Sequence, residues 1–176
     1  MRKIIIIGTV HGGFTPENEL KEVLEKYKPN QVLVEIAQED INKNNIKNYP
    51  PEMIFAMNWA KENKVKVNYF DIIENTLKKS ITKKEVKNLI KEQDEQIKKS
   101  NFTWKDLNNK EKIKILDTRI YLNAVDLEKE KERELKMLNK IKRMMIKSGT
   151  IVIVTGAGHL NFFEKNLKGA EFPFRN

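Results

Sequence analysis

Apolar residues in this chain fall into two kinds of block: uninterrupted β-branched runs, and stripes spaced three or four residues apart. The runs KIIII at 3–7, QVLVE at 31–35 and TIVIVT at 150–155, with KVNYF at 66–70, read as strands. The first, second and last do not alternate with polar residues, the mark of strands covered on both faces of a parallel sheet. Between the first two strands, TPENELKEVLEKYKPN reads as a helix with Thr15 as its N-cap, Pro16 at the first helical position and Leu20, Val23, Leu24 and Tyr27 as its apolar stripe. Lys28-Pro29-Asn30 ends it. PPEMIFAMNWAKENK places Met53, Ile54, Met57 and Ala60 at helical spacing after two prolines. The order is βαβαβ, and right-handed crossovers place the first three strands side by side and parallel.

After Ile73 the pattern changes. Residues 80–99 read as helical, 101–109 as a turn around Phe102 and Trp104, and 110–147 as helical with Ile113, Leu116, Ile120, Ala124, Leu135, Leu138, Ile141 and Met145 as apolar positions. Ser148-Gly149 stops that stretch before the fourth strand. The expected fold is a single α/β domain: a largely parallel sheet flanked by helices (1–77 and 148–176), with an inserted helical lobe (78–147) between the third and last main strands.

Composition narrows the function classes. Charged residues make up 34% and apolar residues 39% of 176, a balance that supports a globular core. No cysteine is present, which removes disulfides, thiolate metal sites and cysteine nucleophiles and fits a reducing cytoplasm. The basic start MRKIIIIG has too short an apolar run for a signal peptide, and no stretch approaches the ~20 apolar residues that span a bilayer. Residues 78–147 carry 21 Lys and Arg against 12 Asp and Glu, which is the whole net charge of +9; the rest of the chain carries 13 of each. Acids are interleaved with these lysines and no Arg-aromatic platform is present, so the segment reads as a solvated helical face and not as a nucleic-acid surface.

Ligands of parallel sheets bind beyond the carboxyl ends of the strands. The residues that close or follow the four strands include His11, Glu35, Asp71 and His159, and the chain has no other histidine. Gly8, Gly12, Gly13, Gly156 and Gly158 surround the two histidines, where they allow sharp turns and close approach of backbone N–H groups to a substrate. Two imidazoles with a carboxylate make a three-ligand site for Zn, Mn, Fe or Co. Alternatively, one histidine oriented by Glu35 acts as a general base without a metal. No Lys-Ser/Thr follows the glycines as in a P-loop, and there is no Gly-x-Ser-x-Gly elbow.

Gly8-Thr9-Val10-His11 and Gly156-Ala157-Gly158-His159 are two Gly-x-x-His motifs, the first followed by a helix and a VLVE strand. Together with Glu132-Arg133-Glu134 ahead of the second motif, they resemble the TraB/PrgY/GumN family, which includes the Tiki metalloproteases and is remotely related to erythromycin esterase-like and ChaN-like proteins. The resemblance covers residues 3–37 and 132–161. It implies a divalent metal, Mn or Co in the first place and Zn as a further choice, held by His11, Glu35 and His159 and used for hydrolysis of a peptide or small-molecule substrate. Arg133 is then a clamp on a carboxylate or oxyanion, and Glu35 or Asp71 the general base. Arg133 precedes Met137 and Ile141 by four and eight residues, so it continues an apolar helical stripe. The alternative is a non-catalytic protein that binds a peptide or small ligand in the Gly-His cleft. A homodimer through the amphipathic lobe is a further expectation.

Overall fold

The computed structural model describes residues 1–114, 116 and 123–175. In chain order the elements are β1 (Arg2–Thr9), α1 (Glu17–Tyr27), β2 (Gln31–Ala37), α2 (Pro51–Glu62), β3 (Lys66–Asp71), α3 (Lys83–Ser100), α4 (Leu127–Met144), β4 (Gly149–Gly156), α5 (Leu160–Asn166) and the two-residue β5 (Ala170–Glu171). Short helical turns at Gln38–Asn42 and Lys110–Ile113 lie between them. The strands form one all-parallel sheet in the order β3-β2-β4-β1-β5.

The isoleucine run shows why these strands do not alternate. Ile5 and Ile7 join Val32, Val34, Val152 and Val154 beneath α1 and α2, while Ile4 and Ile6 join Leu33, Ile151 and Ile153 beneath α4 and α5. Both faces are buried, and each fully buried aliphatic side chain stabilises the fold by ~1.5–3 kcal/mol. The chain moves from β1 to β2 to β3 with its helices on one face. It then reverses direction to reach β4, and right-handed crossover puts α4 on the other face.

One expectation is corrected here. β1 and β2 are not neighbours, because β4 lies between them and pairs with both: Ile4 opposes Ile151, and Val34 opposes Val154. The central place suits β4, whose residues 151–156 are all buried. A second correction concerns Thr15. α1 begins at Glu17 without a side-chain cap. The buried Thr15 hydroxyl instead accepts from Val10 N at 2.8 Å and donates to Val10 O at 3.1 Å, pinning the loop after β1.

The segment read as an insertion contributes to both layers. Trp104 packs in the α1/α2 cluster, edge-on to Phe174 at 5.2 Å, and Met137, Leu138 and Ile141 of α4 pack in the opposite one. The stripe over 110–147 is not one helix: a single turn at Lys110–Ile113 is separated from α4, which starts behind the cap Asp126, and Ile120 lies outside the described residues. α3 starts with a capping box in which Thr82 Oγ1 accepts from Glu85 N and Glu85 Oε2 accepts from Thr82 N. Asn108 completes the outer edge of β1, which β5 pairs only at Ile4 and Ile5: its side chain accepts from Gly8 N at 3.1 Å and donates to Gly8 O at 2.8 Å. No helix among the described residues is long and apolar enough to cross a membrane.

Candidate functional site at the carboxyl edge of the sheet

β2 and β4 are adjacent, yet their outgoing connections leave to opposite faces of the sheet. This is the switch point at which parallel sheets open a crevice. Glu35 has the same parity as Leu33, so it faces α4, and Thr155 has the same parity as Ile151 and Ile153. The two meet across the strands: Thr155 Oγ1 donates to Glu35 Oε2 at 2.5 Å, and Gly156 N donates to the same oxygen at 2.8 Å.

From the other side, α4 brings in Arg133. Its Nη2 donates to Glu35 Oε1 at 3.2 Å and to Asp71 Oδ1 at 2.6 Å, its Nη1 to Glu130 Oε1 at 2.9 Å, and its Nε to Ile72 O at 3.4 Å. The clamp expected of Arg133 is therefore engaged with carboxylates of the protein itself. His159, in the helical turn after β4, places Nε2 3.2 Å from Glu35 Oε1 and Nδ1 2.8 Å from Glu134 Oε1. Both ring nitrogens face carboxylates, which makes the ring a double donor.

The charges follow from these contacts. Burial opposes the charge on Glu35, but His159, Arg133 and Thr155 together hold its carboxyl well below the usual range. Burial likewise opposes charge on His159, and Glu35 and Glu134 outweigh it, lifting the imidazole to about 10. Burial and the neighbouring Glu35 raise Asp71 despite Arg133.

His11 occupies the same edge but turns its Nδ1 away, 2.5 Å from Glu52 Oε1 in the first turn of α2. Its Nε2 points inward. A methyl group at Gly156 would stand 3.6 Å from His11 Nε2, 3.7 Å from Glu35 Oε2 and 3.8 Å from His159 Cδ2. The two histidines and the glutamate singled out in the sequence thus line one small cleft over Gly156, with Asp71 behind Arg133.

The glycines divide by role. Gly12 and Gly13 adopt φ of +77° and +82°, which turns the loop after His11. At Gly8 a Cβ would fall 2.6 Å from Leu160 Cδ1 and 2.7 Å from Asn108 Oδ1, so close packing requires the glycine there. Gly156 keeps the cleft open and spends its N–H on Glu35, whereas Gly158 has nothing within 4 Å of its Cβ position.

The donor atoms of Glu130, Glu134 and His159 all lie within 4.8 Å of one another, a group that could hold a divalent ion. Two carboxylate oxygens and one imidazole nitrogen suit Mn, Co or Zn. The set His11, Glu35 and His159 fits less well as it stands, because protein donors already occupy both oxygens of Glu35. Sequence reasoning missed Glu52, Thr155, Glu130 and Glu134. Of these, Glu130 and Glu134 had a readable signal: Glu134 stands three, four and seven residues before Met137, Leu138 and Ile141, and Glu130 seven and eight before Met137 and Leu138, while Glu132 is exposed.

Compared with family models, with curated proteins and with solved structures, the chain matches none of them.

Proposed function

We propose that the protein is a metal-dependent hydrolase of the TraB/GumN/Tiki type, acting on an amide or ester bond at the cleft over Gly156. The observation that carries this reading is the grouping of Glu130, Glu134 and His159 beside Glu35 at the carboxyl edge of the sheet. Glu130, Glu134 and the Nδ1 of His159 would hold the ion, with Mn or Co favoured over Zn. A divalent ion held there would supply Lewis-acid chemistry and would acidify a water molecule.

The protein's own residues do the positioning. Glu35 accepts from His159 Nε2 and so turns Nδ1 toward the two glutamates, the carboxylate–histidine arrangement that orients metal-binding imidazoles. Thr155 and Gly156 fix Glu35 in turn, and Arg133 balances the charge of Glu35, Asp71 and Glu130. A cysteine-free chain suits a cytoplasmic setting. The exposed Leu127 and Leu135 of α4 are apolar positions through which two copies would pair.

A second reading has its own support: Glu35 and Arg133 are engaged by protein partners, as expected of a cleft that binds a peptide or small ligand without turnover. A screen of peptide and ester substrates with Mn, Co and Zn, run beside Gly156→Ala, separates the two. The hydrolase reading predicts metal-dependent turnover that the added methyl abolishes while the melting temperature is kept. Absence of turnover on every substrate class with every metal favours the binding protein.

A further inference from the structure

A water or substrate atom in the cleft over Gly156 has three side chains to meet, and two of them have no proton-accepting position to offer. Glu35 receives four donors on its two oxygens: Thr155 Oγ1 and Gly156 N on Oε2, Arg133 Nη2 and His159 Nε2 on Oε1. These fill the lone-pair sites of a carboxylate. His159 spends both nitrogens on Glu35 and Glu134 and turns its Cδ2 edge to the cleft. Asp71 is withdrawn behind Arg133, 2.6 Å from Nη2. Of the three side chains around Gly156, His11 is the one with a ring nitrogen that has no partner among the described residues.

His11 is built for this role from both ends. Its backbone is held: the Thr15 hydroxyl ties Val10 N and O on one side, and Gly12 and Gly13, both at positive φ, reverse the chain on the other. Its ring is held as well. Nδ1 lies 2.5 Å from Oε1 of Glu52, whose side chain is 1% exposed although that of His11 is 54% exposed. Glu52 sits in the first turn of α2, where unpaired N–H groups favour a carboxylate. A carboxylate only accepts, so Nδ1 carries the hydrogen, and in the neutral ring the lone pair is on Nε2. That nitrogen has no hydrogen-bond partner among the described residues and lies 3.6 Å from where a Gly156 methyl would be.

We propose that Glu52 is a positioning residue that locks His11 in the Nδ1–H tautomer and aims its Nε2, as the proton acceptor, into the cleft over Gly156. Glu52 does not touch the substrate. The chemical use of the dyad rests on the hydrolase reading: Nε2 takes a proton from water as the water oxygen bonds to the carbonyl carbon. It then returns that proton to the leaving nitrogen or oxygen as the C–N or C–O bond breaks, so His11 ends as it began. The same logic explains why the first Gly-x-x-His motif and the proline-led helix α2 belong to one site, although 41 residues separate His11 from Glu52.

The chain's two histidines make the test direct. Long-range proton–nitrogen correlation spectra of the nitrogen-15-labelled full chain report which ring nitrogen carries hydrogen, with His11→Gln assigning the signals. The expected result is a neutral-ring signature with a protonated Nδ1 and a bare Nε2. In Glu52→Gln the ring should move to the Nε2–H tautomer, and Glu52→Asp should keep part of the wild-type signature. A wild-type His11 in the Nε2–H form overturns the proposal even if neither variant folds, and so does an unchanged tautomer in folded Glu52→Gln. The hydrolase reading is tested separately: with the dyad seen, Glu52→Gln should lower kcat by roughly 10²- to 10⁴-fold with little change in KM, as loss of an orienting carboxylate does. A dyad without any hydrolysis sinks the hydrolase reading and leaves the tautomer lock standing.

Discussion

Arg133 of α4 and Glu35 of β2, 98 residues apart in the chain, meet at 3.2 Å over the carboxyl edge of the sheet. The same nitrogen also holds Asp71, so one guanidinium serves buried carboxylates from two adjacent strands. Arg133→Met leaves Asp71 without its cation and Glu35 with His159 alone. Removing one partner of a buried charge network costs ~3–5 kcal/mol, and urea denaturation at neutral pH should show a loss of that order. Restoring part of it with Asp71→Asn in the same chain would tie the loss to the carboxylates; a loss below about 1 kcal/mol would place the network in a solvated setting.

The two glycines of similar motifs should behave oppositely. Gly8→Ala drives a methyl to within 3.0 Å of the Ala157 backbone as well as into Leu160 and Asn108, so it should cost ~1–3 kcal/mol, as overpacking does. Gly158→Ala meets nothing within 4 Å and should fall within ~0.5 kcal/mol of the parent. Equal thermal melts for the two variants would refute the packing account of Gly8.

His159 imposes a pH dependence whose sign is fixed. Its imidazole is held near 10 against an ordinary 6.5, chiefly by Glu35 and Glu134 acting against burial. Stability from this group is full below pH 6.5 and is lost as pH rises through about 10. Thermal melts from neutral to strongly alkaline pH should therefore fall more steeply for the parent than for a folded His159→Gln. Parallel curves would mean that His159 is not held as the imidazolium.

Much of this was legible in the sequence. The β-branched runs marked β1, β2 and β4 because burial on both faces leaves no polar alternation, KVNYF marked the edge strand β3, and the carboxyl-end rule brought His11, Glu35, Asp71 and His159 to one edge. The insertion of β4 between β1 and β2 was not legible, since local pattern encodes strand burial but not lateral order. Glu52 looks like any acidic residue in a first helical turn; its burial depends on a loop 41 residues away. Glu130 and Glu134 hide among the charges of EKEKERE, where only their register with Met137, Leu138 and Ile141 marks them as inward.

The ligand set of the metal can be separated by substitution. Glu130→Gln and Glu134→Gln should each weaken Mn or Co binding by roughly 10- to 100-fold, while His11→Gln should leave it nearly unchanged. The reverse pattern would return the ion to His11 and Glu35. Because His159 must give up a proton to coordinate, calorimetric titration in buffers of different ionisation enthalpy should report proton release on binding.

Elemental analysis of the full chain after loading with Mn or Co and thorough desalting, beside a folded Glu134→Gln/His159→Gln variant, tests the central claim most directly. About one ion per parent chain and none in the variant is the predicted result. A parent chain that retains no ion contradicts the metal-dependent hydrolase.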